Sequence, residues 1–344
     1  MLQTTVADAG DPGPPRPAAW LHIYRGAWSC LFLFALIVGF EIWARLVYSS
    51  SFILNANNVQ SILLAATQPL LVALGMTFVL IAGGIDLSVG FTVGLASVVA
   101  TQCMLLLDPA IGAVGSMAIG CAAAVLVAMI PGMINGQLIA RLGVPPFIAT
   151  LGMYGVARGA GYLISGGHTV PATNPVLDYF GNATLFGLPL PVLLTIVVAL
   201  IMHYVLAATR FGQYTIAIGG SRQAAVRAGI DVAGHTVSLY LLAAALAAVA
   251  GLVYAGRFSG GNAQAGEPSM LDSIAAVVIG GTSLFGGEGS IPGTVLGALI
   301  IAVIQFGLVF INVAPFWQFV AVGNVIVLAV LIDQSRRRRS ANRG

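Results

Sequence analysis

The amino-acid sequence predicts an all-α polytopic membrane protein of about ten transmembrane helices, some broken at glycines, with both termini on the cytoplasmic side. The first observation behind this is composition: 58% of the 344 residues are hydrophobic, 7% are charged, and mean hydropathy is +0.98. So apolar a chain has too little polar surface for a soluble domain. The second is regular interruption: apolar runs of about 20 residues, each long enough to cross a bilayer as a helix, recur between short polar breaks. The third is the placing of positive charge. The chain has no lysine, and most of its arginines gather at Arg16 and Arg25, at Arg141, at Arg210, Arg222 and Arg227, and at Arg336, Arg337, Arg338, Arg339 and Arg343. With alternating spans these fall on one face, which the bias of basic residues identifies as the cytoplasmic one.

Residues 1–26 carry prolines, glycines and acids without an apolar core and read as a disordered cytoplasmic tail. The first span lacks a small-residue cleavage site and is not expected to be a signal peptide. Helices are expected over 27–48, 59–81, 89–107, 111–139, 146–165, 190–208, 236–256, 271–284, 291–311 and 315–333, one transmembrane domain over 27–333. The stretches at 83–90 and 271–290 are glycine-broken and also fit re-entrant segments, which would lower the count. Gly166–Pro189 and Arg257–Met270 are rich in turn formers and are expected outside, where a soluble partner or solute first arrives. Residues 334–344 form a basic cytoplasmic tail; following a span directly, it reads as an anchor in anionic lipid rather than as a nucleic-acid site. Cys30, Cys103 and Cys121 lie inside apolar runs without metal-like spacing and read as packing residues.

Three segments interrupt the apolar pattern in an informative way. In GGIDLSVG, residues 83–90, Gly83 and Gly84 release a helix, Asp86 or Ser88 can cap the next, and Gly90 allows close packing. The same break could expose polar groups to a passing solute. GGTSLFGGEGSIPG, residues 280–293, repeats the spacing: Gly280, Gly281, Leu284 and Gly287 match Gly83, Gly84, Leu87 and Gly90, as a diverged repeat or as independent turns. Between them, the cytoplasmic loop 209–235 is amphipathic, with Arg222, Gln223 and Arg227 polar and Ala224, Ala225 and Ala228 small, flanked by Gly219, Gly220 and Gly229. Such a short helix can dock in a groove of another protein; an ordinary surface loop is the competing reading.

GGIDLSVG, GGSRQAAVRAGIDV (219–232) and AAVVIGGTSLFGGEGSIPGTVLGALI (275–300), in that order, resemble the permease subunits of bacterial ABC-type importers for ribose, xylose, galactose and related sugars. The resemblance runs from about residue 30 to 333 and implies a monosaccharide permease of the bacterial inner membrane. It implies a cytoplasmic ATPase subunit, an external periplasmic sugar-binding protein and a second permease copy as partners, with no cofactor on this chain and ATP used by the partner. It makes Gly219, Gly220, Ser221, Gln223, Ala224, Ala225, Gly229 and Ile230 the element that meets the ATPase. Gln223 stands where the family pattern has glutamate, so shape through Ala224, Ala225 and Gly229, not a salt bridge, is expected to carry that contact. A chain without lysine cannot build a G-x-x-x-x-G-K-[ST] phosphate loop, so no ATPase site is expected here.

The membrane charges divide by position. Glu41 and Arg45 sit four residues apart and suit a helical ion pair. Arg158 falls well inside a span, where a lone charge costs upwards of ~2.5 kcal/mol, so it is expected to face protein or water; Asp86 and Asp272 pose the same problem. For a neutral polyol, uncharged polar groups are better path residues than fixed charges, which nominates Gln68, Asn135, Gln137, Gln305 and Asn324, each with interhelical bonding as the alternative. At most weak solute binding is expected in a permease supplied by a receptor. Two other classes compete: an ion-coupled secondary transporter relying on Asp86, and an intramembrane enzyme, disfavoured because His22, His168, His203 and His235 are scattered. The sequence does not name the cargo, and similar permeases carry other small polar solutes such as signalling furanoses.

Overall fold

The computed structural model describes residues 19–314 and 316–341, and most of them are helical. α1 spans Ala19–Tyr48, α2 Ala56–Ile81, α3 Val89–Ala140 and α4 Pro146–Ser165. A short α5 (Pro175–Asn182) leads to α6 (Leu190–Ala208), and two short helices, α7 (Arg210–Gly220) and α8 (Arg222–Arg227), precede α9 (Val232–Arg257). α10 (Glu267–Ile279), α11 (Ile291–Phe310) and α12 (Phe316–Ala341) follow. Among the described residues six helices, α1, α2, α3, α6, α9 and α11, are long and apolar enough to cross a membrane, which makes this a multi-pass membrane protein.

The bundle has two ends. α7 and α8 mark one. The other carries two antiparallel pairs of short strands: β1 (Val170–Pro171) with β4 (Gly260–Gly261), and a hairpin of β2 (Thr184–Leu185) with β3 (Leu188–Pro189). The first pair clasps together two loops almost 90 residues apart in sequence, with Val170 opposite Gly261. At this clasp end Glu41 accepts from Arg45, from Ser51 and from the amides of Phe52 and Ile53, so the expected ion pair also closes the α1–α2 turn.

α2 and α9 form the centre. Apolar lipid tails give helices no hydrophobic reason to associate, so close packing of small residues must hold such a bundle. Gly75 of α2 lies against Ala243 of α9, and Gly132 and Gly136 of α3 lie against Tyr240, Ala244 and Val237 of the same helix. α3 has 52 residues, roughly 78 Å if it were straight and more than twice a bilayer core. It is not straight: Gly112 leaves helical geometry (φ 74, ψ 169), and Gly120 returns to pack on Ala100 and Met104. The helices expected over 89–107 and 111–139 are thus two arms of one hairpin. Asn174 ties down its tip by donating to Ala113 O and Ser116 Oγ.

The structure corrects several boundaries. α1 begins at Ala19, inside the segment expected as a tail over 1–26, of which residues 1–18 lie outside the described residues. α9 begins at Val232 rather than 236, and α12 continues through the arginine run to Ala341, past the expected end at 333; residues 342–344 lie outside the described residues. The helix expected over 271–284 is α10, shifted towards the N-terminus, because Gly280 and Gly281 (φ +90) end it. The largest correction concerns Arg257–Met270, expected as an outer loop. After α9 the chain descends along the first arm of α3, Gly261 meeting Ser97 and Thr101, Ala263 meeting Gly94, and Gly266 meeting Gly90. Eleven residues of helix separate Thr101 from Gly90, so this non-helical backbone runs roughly 16 Å into the bundle. Unpaired backbone is costly at such depth. Here Ser97 Oγ accepts from Asn262 N and donates to Asn262 O, and Gln68 Nε2 donates to Ala265 O at 2.6 Å.

Candidate functional site at the junction of three glycine segments

The three segments singled out in the sequence meet at the α7/α8 end. α2 stops at Ile81, and the chain turns back through Gly83 (φ +80). The Ile81 carbonyl, freed by the helix end, accepts from Gly287 N at 2.8 Å, joining the first break to the second. α7 closes the junction from outside: its Gly219 is so tight against Ile81 O and Gly287 N that a Cβ would land on them. Gly286 (φ +87) lies within contact of Gly219, Gly83 and Ile81 at once. Glycine is required because three backbones touch with no room for side chains. The spacing match between 83–90 and 280–293 does not extend to conformation. Gly83 is left-handed where Gly280 is not, and Gly287 is left-handed where Gly90 is helical, so the two behave as independent turns.

Beside the junction lies a buried polar relay. Asp86 Oδ1 accepts from Ser88 N (2.9 Å) and from Ser88 Oγ (2.6 Å), and Ser88 Oγ accepts from Asn135 Nδ2 (2.9 Å). All three residues are almost fully buried, and among the described residues no cation pairs with Asp86. The expected cap therefore takes another form. The Ser88 side chain bonds no amide of α3's first turn, and Asp86 holds the turn one step earlier. Tyr240 Oη donates to Ile85 O and lies close against Gly84, pinning the same turn to α9. Nothing in the sequence marks Tyr240, which sits unflagged in an apolar run.

α8 is built by its caps: Ser221 Oγ accepts from Ala224 N, and Gly229 (φ +79) ends it by donating to Val226 O. Ala225 points into the chain against Ile218, Val232 and the partly buried Ala82 and Ile230. It seats α8 on the first helix break. Ser221, Arg222, Gln223, Ala224, Arg227 and Gly229 are exposed, as is Val226, whose apolar side chain at this surface was not anticipated. α7 is held to α9 by the bond between Thr215 Oγ1 and His235 Nε2 (2.9 Å).

Residues 58–332 match the family described as the branched-chain amino acid transport system / permease component. The chain belongs to this permease family. It is 38% identical to the ribose import permease protein of Bacillus subtilis, over 90% of this chain and 92% of that one. It is 34% identical to the D-allose transport system permease protein of Escherichia coli, over 91% and 93% of the two chains. With the galactose/methyl galactoside import permease protein of Haemophilus influenzae it shares 34% identity over 81% and 87%.

The other nominated residues of this permease lie apart from the junction. Gln68 supports the descending segment, Gln305 Nε2 donates to Asp272 Oδ2 at 2.9 Å between α11 and α10, and Gln137 reaches Met133. Asn324 is exposed on α12, and Gly90 packs under Gly266. Arg158 is exposed on α4, stacked over Phe91 and Tyr162, and among the described residues no carboxylate or carbonyl accepts from its guanidinium. Gly152, Gly155 and Gly159 on the same helix have open space where a side chain would be. Among the described residues no group of three His, Cys, Asp or Glu side chains could hold a metal.

Proposed function

We propose that this permease is the membrane subunit of an ATP-binding-cassette importer for a monosaccharide, driven by a separate ATPase subunit and supplied by an external binding protein. The observation that carries the reading is the backbone junction. The exposed surface from Ser221 to Gly229 is joined through Gly219, with no intervening side chains, to both helix breaks. A partner that pushes on α8 therefore acts together on the end of α2 and on the turn between α10 and α11, which suits conversion of ATPase closure into movement of the spans. The relatives named above are a ribose, a D-allose and a galactose/methyl galactoside permease, which favours a sugar as cargo. On this reading ATP binds the partner alone.

In this reading the chain crosses the membrane about ten times, counting α3 as two passes and the descending segment with α10 as one. Both termini then lie on the cytoplasmic, α7/α8 side with the arginine-rich segments. A second copy packs on the exposed face of α4. Lipid would not tolerate Arg158 with its donors unpaired, and the open glycines admit a close neighbour.

The test is affinity purification of the chain from its native membrane followed by mass spectrometry. An ATPase and a secreted binding protein are expected; recovery of the chain alone, active in gradient-driven uptake after reconstitution, would replace the proposal with a secondary transporter. Gly229→Trp tests the coupling role. Open space surrounds Gly229, but its positive φ disfavours any side chain and the indole would occupy the docking surface. In the reconstituted transporter, uptake is expected to be lost while ATP hydrolysis and membrane insertion persist.

A further inference from the structure

The descending segment does more than fill space. Beside it lies a cavity of about 560 Å³, walled by Tyr254 of α9, Asn262 and Gln264 of the segment, Glu267 and Leu271 of α10, and Phe319 of α12. Tyr254 and Phe319 belong to helix turns at the clasp end, while Glu267 opens α10 deeper in the bundle. Three hydrogen-bonding groups meet here without a partner among the described residues: the Glu267 carboxylate, the Gln264 side-chain amide and the Tyr254 hydroxyl. Gln264 is exposed and Tyr254 and Glu267 are half-buried, so all three stand open to a solute that enters the cavity.

We infer that this cavity is a low-affinity site for a neutral monosaccharide on its way through the permease, with Glu267 and Gln264 as the hydroxyl-binding groups. The inference rests on the importer reading above and names the place where the cargo pauses. Carbohydrates present vicinal hydroxyls around apolar C–H faces. A carboxylate accepts two hydroxyls, an amide both donates and accepts, and the Tyr254 and Phe319 rings offer apolar faces. The volume falls within the roughly 300–1,000 Å³ of small-molecule sites. The wall is also firmly mounted. Asn262 donates to Thr169 and accepts from Gln264 N, and Gln68 holds Ala265 of the same wall, so Gln68 and Asn262 are positioning residues.

The same chemistry favours a sugar over a zwitterionic amino acid, the solute class in the family's description. Glu267 could pair with its ammonium group, but no lysine, arginine or histidine lines the cavity to receive its carboxylate, which would find only neutral amide donors such as Gln264. A neutral sugar brings no second carboxylate and donates its hydroxyls to the one already there.

The experiment uses the complete transporter, chain with ATPase and binding protein, in proteoliposomes, with Cys30, Cys103 and Cys121 replaced by serine. Gln264→Cys is exposed to a water-soluble thiol reagent in the presence of millimolar D-ribose, D-allose, L-arabinose, D-galactose or L-leucine. At least one sugar is expected to slow labelling and leucine to leave it unchanged. Failure to label, absence of protection by every sugar, or equal protection by leucine overturns the site. In parallel, Glu267→Gln and Tyr254→Phe are assayed for uptake. Because the receptor sets the half-saturating concentration, each is expected to lower the maximal rate alone, Glu267→Gln by about tenfold, the worth of one hydrogen bond to a charged group. Unchanged maximal uptake in both variants would also overturn the site. Absence of ATP-dependent uptake in the parent protein would instead count against the importer reading.

Discussion

Gly219→Ala is expected to abolish uptake, whereas Gly220→Ala, one residue on, is expected to leave it near the parent rate. A methyl group at Gly219 would occupy the space of the Ile81 carbonyl and the Gly287 amide, both backbone groups that cannot rotate aside. Relief requires α7 to lift off the two helix breaks, breaking the Gly287 to Ile81 hydrogen bond that joins them. Overpacking of this kind costs about 1–3 kcal/mol and more where backbone must move. At Gly220 no atom stands within 4 Å of the added carbon and φ is not in the left-handed region, so alanine fits without strain. The check is ATP-dependent uptake and thermal unfolding of both variants in lipid nanodiscs. Equal behaviour of the pair would remove the junction from the mechanism.

The second large effect is expected at Asp86. Asp86→Ala strips the acceptor from the Ser88 amide and hydroxyl, both deeply buried, at about 1–3 kcal/mol for each group left unpaired. The turn between α2 and α3 should loosen, with a lower unfolding temperature and a severe loss of uptake. Asp86→Asn keeps an oxygen in place for both donors and is expected to retain most uptake. The asparagine variant decides between mechanisms: if it folds as the parent does but cannot transport, a charge or proton at this position is obligatory and an ion-coupled cycle becomes the better account.

The spans were legible because hydropathy reports directly on what a bilayer accepts, and the three glycine segments were legible as breaks because few other residues interrupt such runs. Their meeting was not legible, since spacing in sequence says nothing of which carbonyl a distant glycine will touch. Ala225 shows a related limit. In so short a helix, alanine is small enough for either the inner or the outer face, and only the positions of Ile218 and Val232 settle it. The descending segment was misread for a physical reason: its polar residues and glycines look like a surface loop. It can enter the bundle because Gly90 and Gly94 on α3 leave a groove and Ser97 and Gln68 satisfy its backbone. Tyr240 gave no signal, because one hydroxyl on an aromatic ring barely alters the hydropathy of a helix.

The two strand pairs at the clasp end impose opposite rules on how the chain can vary. The hairpin from Thr184 to Pro189 pairs with itself, and its tip at Phe186 is 92% exposed, so an epitope or a longer turn inserted there disturbs the tip and the single bond that Gln60 donates to Gly187 O. The β1–β4 pair makes one mechanical part of two loops, with Gly260 and Gly261 pressed against Thr169 and Thr101. An insertion on either side of it must be answered on the other. Length should therefore vary more readily among related chains around Phe186, while 168–172 and 259–263 are constrained to change in step.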